Sequence, residues 1–137
     1  MSKALNYLGI ARMSGNLETG EDNAAALVKA GKARLLLVAS DTSEGAKRRA
    51  EGYVFGFSTP LVELPFTKAE ISGTVGKPGC SMVALRDLGL ALSLTEALAA
   101  EDPERYGAAA ALLREKREKI RTRKETKGRK NGKREES

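Results

Sequence analysis

Few side chains here could move a proton or attack a substrate: Ser40, Asp41, Glu44, Lys68, Cys80 and Asp87. The chain has no histidine, so the side chain best suited to general acid–base work at neutral pH is absent. None of the six stands at a readable spacing from a partner that would activate it. Asp41 and Asp87 each follow an apolar run that reads as a buried strand, the region where α/β proteins bind ligands. Aspartate at such a position also caps the next helix, and capping is the reading we take. Cys80 has no activating neighbour and reads as a buried thiol. Gly73-Thr74-Val75-Gly76-Lys77 has the outline of a phosphate-binding loop, but the glycine spacing is wrong and Pro78 stands where that loop needs a magnesium-binding hydroxyl. One cysteine and no histidine leave no disulfide framework and no recognisable metal site. The expectation is a non-catalytic protein with no cofactor.

The elements that would position these groups are organised around Gly20 to Asp41. Glu21, Asp22 and Asn23 suit a helix start, where acidic groups meet the partial positive charge and Asp or Asn oxygens can cap free amides. Leu27 and Val28 give that helix an inward face, and Ala30-Gly31-Lys32 turns the chain. Leu35 to Ala39 is an unbroken apolar run, the pattern of a strand buried on both faces. Before it, Lys3 to Met13 reads as a helix ended by Gly15, and Leu17 to Gly20 as a lead-in. After it, Thr42 or Ser43 caps a surface helix carrying Lys47, Arg48 and Arg49. Tyr53 to Phe57 fits either an alternating strand or the end of a helix. Pro60 and Pro65 bracket a short strand, Thr67 caps a helix through Val75, and Gly76 to Gly79 is a loop. Ser81 to Leu85 is a further strand, Leu88 to Ala99 a helix, and Asp102-Pro103-Glu104 a strong helix start. Tyr106, Ala109 or Ala110, and Leu113 form its narrow apolar stripe. From Thr122 on there is no apolar residue, so residues 122–137 are expected to be a disordered basic tail.

A length of 137 residues suits one domain. Aromatic residues make up 4%, which argues against a stacking platform for single-stranded nucleic acid. The net charge is +6, yet residues 114–137 alone carry twelve Lys or Arg and five Glu, leaving the first 113 residues at −1. The basic character belongs to the tail, read as a nucleic-acid arm whose phosphate contacts weaken with salt. No apolar face accompanies those charges, which disfavours membrane binding. The N-terminus lacks the apolar core of a signal peptide and no stretch approaches a membrane span, so a cytoplasmic location is expected.

The blocks LGIARMSGNLETGED, AGKARLLLVASDTSEGAKRR, PLVELPFTKAEISGTVGK and SMVALRDLGLALSL resemble, in order and spacing, the kink-turn-binding ribosomal proteins of the large subunit. The resemblance is greater to their small bacterial relatives, often described only as ribosomal-protein-like, and covers about Leu5 to Leu94. It implies an α/β fold, a three-layer α-β-α sandwich with a mixed four-stranded sheet, and favours a helix before the strand bracketed by the prolines. The organisation expected is a domain over residues 1–100, a C-terminal helix over 101–121, and the tail.

In that family a glycine is followed after one residue by Asn-Glu and, two residues on, by lysine; this turn reads the edges of sheared G·A pairs. Here Gly20 matches, Asp22 and Asn23 occupy the Asn-Glu positions, and Ala26 replaces the lysine. Glu21, Asp22 and Asn23 can accept hydrogen bonds from guanine N–H groups. The resemblance places further contacts at Ser43, Glu44 and Lys68, and at the loop Gly76, Lys77, Pro78, Gly79 and Cys80. Lys32 and Arg34 are expected to keep positive charge near the same edge. The function implied is recognition of a structured, kink-turn or internal-loop-like RNA by a monomer, with ribosomal RNA or a ribosome-associated protein as partner. The competing reading is a protein-interaction module of the translation or transcription machinery that has lost specific RNA recognition.

Overall fold

The structure is a computed structural model that describes residues 2–136, with side chains described as far as Thr122. Its elements run α1 (Lys3–Met13), β1 (Leu17–Thr19), α2 (Glu21–Lys29), β2 (Leu35–Val38), α3 (Glu44–Val54), β3 (Leu61–Glu63), α4 (Lys68–Val75), β4 (Met82–Leu85), α5 (Leu88–Glu101) and α6 (Pro103–Glu136). Where a helix over 101–121 and a disordered tail from 122 are expected, the described backbone of α6 runs as helix from Pro103 to Glu136, its side chains lying outside those described past Thr122.

The four strands form one mixed sheet in the order β1-β4-β2-β3, with β2 parallel to β3 and β4 antiparallel to both β1 and β2. Leu35 to Val38 and Met82 to Leu85 are buried throughout, as expected of central strands covered on both faces. On one face Leu35, Leu37, Val83 and Leu85 pack with Leu8 of α1, Ile71 of α4, Leu92, Leu94 and Leu98 of α5, and Tyr106 and Leu113 of α6. On the other, Leu36, Val38, Met82 and Ala84 pack with Ala24, Leu27 and Val28 of α2 and Ala50 of α3. The result is the three-layer α-β-α sandwich. Each fully buried leucine contributes about 1.5–3 kcal/mol of transfer free energy.

The lead-in at Leu17 proves to be an edge strand, pairing Leu17 with Leu85 and Thr19 with Val83. Three residues are too short to show an alternation, which is why β1 reads as a linker in the sequence. Tyr53 and Val54 end α3, and the chain leaves the helix at Phe55. Tyr106 and Leu113 place α6 in the main core. The Tyr106 hydroxyl donates to the Glu63 carbonyl at 2.8 Å, and Lys116 Nζ donates to the Ser58 carbonyl. The helix therefore runs antiparallel along edge strand β3 and shields it, one way of blunting an exposed edge.

Candidate functional site

The topology gathers the chain at one end of the sheet. β1, β2 and β3 all point toward that end, and each is followed by a helix that starts there: α2 after Gly20, α3 after Ser43, α4 after Thr67. β4 begins there too, fed by the loop from Gly76 to Cys80. We refer to this as the upper end. The positive ends of three helix dipoles converge on it.

Gly20 sets the turn between β1 and α2. Its N–H donates to the Met82 carbonyl at 2.9 Å, and its backbone, φ 92° and ψ 154°, lies in a region essentially restricted to glycine. No side chain caps α2. The capping role expected of Asp22 or Asn23 is not realised: the Asn23 amide donates instead to the Thr19 carbonyl at 3.1 Å, tying the helix back to β1. Asp22 and Asn23 are exposed. Glu21 faces α3, where Arg49 grips its carboxylate with two bonds of 2.6 and 3.0 Å and the Tyr53 hydroxyl donates to it at 2.5 Å. The Arg49 and Tyr53 hydrogen bonds hold the Glu21 carboxyl below the usual carboxylate range, while the same contact raises Tyr53. Of the three acceptors foreseen at this turn, one is thus already occupied.

Ser43 caps α3, accepting from the Ala46 N–H at 3.2 Å. Glu44 is exposed and stands 3.8 Å from Lys47. Asp41 departs from expectation: it accepts from the Lys68 N–H at 2.8 Å, and so secures the start of α4 rather than the helix that follows it in the chain. Thr67 and Glu70 complete a reciprocal capping box there. Asp87 caps α5 as expected, accepting from Leu90 at 2.8 Å. The Lys68 side chain is exposed.

The Gly76–Cys80 loop lies against the Gly20 turn. Thr19, Gly20 and Asn23 on one side and Lys77, Pro78, Gly79 and Cys80 on the other line a cleft of about 230 Å³. Gly76 ends α4 in the left-handed conformation, φ 73°, and Gly79 repeats it at φ 67°. Lys77 is exposed between them. Cys80 is buried: its N–H donates to Ser72 Oγ at 2.9 Å, and burial pushes its thiol up. It anchors the loop and is a poor nucleophile.

Lys32 and Arg34 do not join this group. They precede β2, whereas the cleft lies beyond its carboxyl end, so they sit at the opposite, lower end of the sheet. The nine residues of α2 alone separate the two ends by about 14 Å. Lys32 reaches only the far side of a second cleft, about 280 Å³, which runs beside α2 past Asn23, Ala26, Ala30 and Arg86. Lys32 and Arg34 are close to the turn in sequence, but the length of α2 carries them away from it in space. Conversely, Arg49, Tyr53 and Ser72 support the upper end from elsewhere in the chain, and no local pattern announces them. Among the described residues no group of three or more potential ligands could hold a metal ion, and no helix is long and apolar enough to cross a membrane.

No protein-family model matches the chain. Among solved structures, a protein of unknown function from Bacillus halodurans superposes with a TM-score of 0.67 at 21% identity, over 72% of this chain and 98% of that one. The 15.5kD RNA binding protein of Giardia lamblia superposes with a TM-score of 0.57 at 17% identity, over 70% of this chain and 82% of that one. At such identities the likeness is one of fold. A curated relative is more similar in sequence: the RNA-binding protein YlxQ of Enterococcus faecium is 38% identical over 76 residues, which span 56% of this chain and 73% of the relative. On that match, which covers most of the relative's length, the chain belongs to the YlxQ family.

Proposed function

We propose that this protein binds structured RNA and carries out no reaction on it, the RNA being kinked or internally looped and ribosomal or ribosome-associated. The observation that carries the reading is the cleft between the Gly20–Asn23 turn and the Gly76–Cys80 loop, in a chain whose family includes a protein named for RNA binding. At that end the uncapped N-terminus of α2 offers amides, and the three helix starts offer partial positive charge, to phosphate. Asp22 and Asn23 offer exposed acceptors to guanine N–H groups. Lys68 and Lys77 supply phosphate contacts, and the left-handed glycines let the loop backbone come close to a base. The ion pair of Glu21 with Arg49 cancels one of the two carboxylates that would otherwise repel phosphate. The basic tail adds affinity without sequence preference.

A competition between a kink-turn RNA and a continuous duplex of the same length tests this on the full chain. The expected result is a preference for the kink-turn of about tenfold or more that persists as salt rises, because base-edge contacts discriminate while phosphate contacts only position. Equal affinity for both RNAs, falling steeply with salt, would leave only the tail active and overturn the proposal.

A further inference from the structure

The lower end of the sheet carries a second set of groups suited to nucleic acid. The chain contains three phenylalanines; Phe66 is buried, whereas Phe55 and Phe57 are 86% and 43% exposed in the loop between α3 and β3. That loop is held on both sides. Phe57 N–H donates to the Val54 carbonyl at 2.9 Å, Thr59 Oγ1 donates to the Ala33 carbonyl at 3.1 Å, and Lys116 of α6 donates to the Ser58 carbonyl. Beside it Arg34, Ser58, Lys116, Lys119 and Ile120 line a cleft of about 250 Å³. Arg34 and Lys116 face each other without a carboxylate within 4 Å among the described residues, and Lys116 is held below its ordinary range by burial and by the Arg34 charge. Two like charges brought together in this way leave room for an anion to stabilise the pair. The carboxylates nearby in the chain are Glu115, 3.5 Å from Lys119, Glu118, 3.5 Å from Arg121, and Glu51, one turn before Phe55 on α3. The low overall aromatic content hid this local concentration.

We propose that the lower end is a second RNA contact, taking single-stranded nucleotides that flank the structured element, with bases stacked on Phe55 and Phe57 and phosphates held by Arg34 and Lys116. The cleft beside α2, lined by Asn23, Ala26, Ala30 and Lys32 and by the ion pair of Glu18 and Arg86, extends from the upper end toward the lower end along the β1 side of the sheet. Stacking on exposed aromatic rings accepts any base, and cations that no carboxylate neutralises favour phosphate. The inference rests on the proposed function, in that it extends the same RNA along the fold.

The test compares the full chain bound to a blunt kink-turn RNA with the same RNA carrying a single-stranded uridine extension of roughly ten nucleotides, within the site sizes of such grooves. The extension is expected to raise affinity about tenfold, the range of one stacked base. The double variant Phe55→Ala, Phe57→Ala should abolish this gain while leaving the blunt RNA bound as before. Arg34→Ala with Lys116→Ala should also lower the salt dependence of the extended complex by about two counterions. Circular dichroism verifies that both variants fold. A gain that survives in the phenylalanine variant assigns the extension to the tail and overturns the inference. So does an unchanged RNA profile accompanied by loss of self-association, which would make the patch a protein contact. If the blunt kink-turn fails to bind but a single strand still depends on the phenylalanines, the lower site stands and shape recognition at the upper end falls.

Discussion

The two ends of the sheet offer opposite kinds of surface. The upper end presents backbone: three helix starts, a glycine turn with φ 92° and a loop with two left-handed glycines, with Glu21, Glu44 and Asp41 matched to Arg49, Lys47 and the amide of Lys68 and Asp22 left exposed. The lower end presents side chains: exposed Phe55 and Phe57 and the cations Arg34 and Lys116 beside a carbonyl. Backbone amides sit in fixed positions and can read shape. Flexible cations and flat rings accept many sequences. A domain whose first 113 residues carry a net charge of −1 can therefore hold RNA at both ends without being basic overall.

The largest expected effect would disturb both ends together. Leu37 is fully buried at the centre of β2, and Leu37→Ala should cost about 2–5 kcal/mol in denaturant unfolding. Binding at either end should then fail in parallel as the fold is lost; loss at one end alone would mean that the ends fold independently. Gly20→Ala acts on the upper end only. Nothing would clash with its Cβ within 4 Å, so a cost of about 1–3 kcal/mol from the backbone conformation is expected, together with weaker kink-turn binding and an unchanged response to single-strand extensions.

Glu21→Gln sharpens the role of the ion pair. Because the folded carboxyl titrates below its ordinary value, its contribution to stability is complete above the unfolded value and disappears as pH falls through the lowered folded one. Wild type and variant should differ in melting temperature at neutral pH, and the difference should shrink only as the pH falls below the ordinary carboxylate range, vanishing once it has passed through the lowered folded value. The difference at neutral pH should be small, since Arg49 is more than half exposed. Least of all, Lys77→Ala should weaken kink-turn binding a few-fold and lower the salt slope by about one counterion, with stability unchanged.

The layers were legible because burial imposes pattern: Leu35 to Val38 and Met82 to Leu85 are uniformly apolar since helices cover both faces of the sheet. Helix starts at Ser43, Thr67 and Asp87 were legible because capping is local chemistry. β1 was not, being three residues long and defined by its partner. The site divided in the same way. Gly20 and the Gly76–Cys80 loop announce themselves as turn residues, and the family resemblance singles them out. The pairing of Glu21 with Arg49 and Tyr53 spans 28 and 32 residues, and the removal of Lys32 and Arg34 to the other end follows from strand direction. Neither leaves a trace in local spacing. Asp41 illustrates the limit well, since an aspartate after a strand predicts a cap but not which helix receives it.

In the proposed function the upper end holds structured RNA through backbone and a few side chains. Amide chemical shifts of the full chain, titrated with a kink-turn RNA, test it most directly. Perturbations are expected to concentrate at Gly20 to Ala24 and Gly76 to Ser81, with the outer faces of α1 and α5 unmoved. Perturbations confined to residues 122–137, with the Gly20 and Gly76 amides unchanged at saturating RNA, would contradict it.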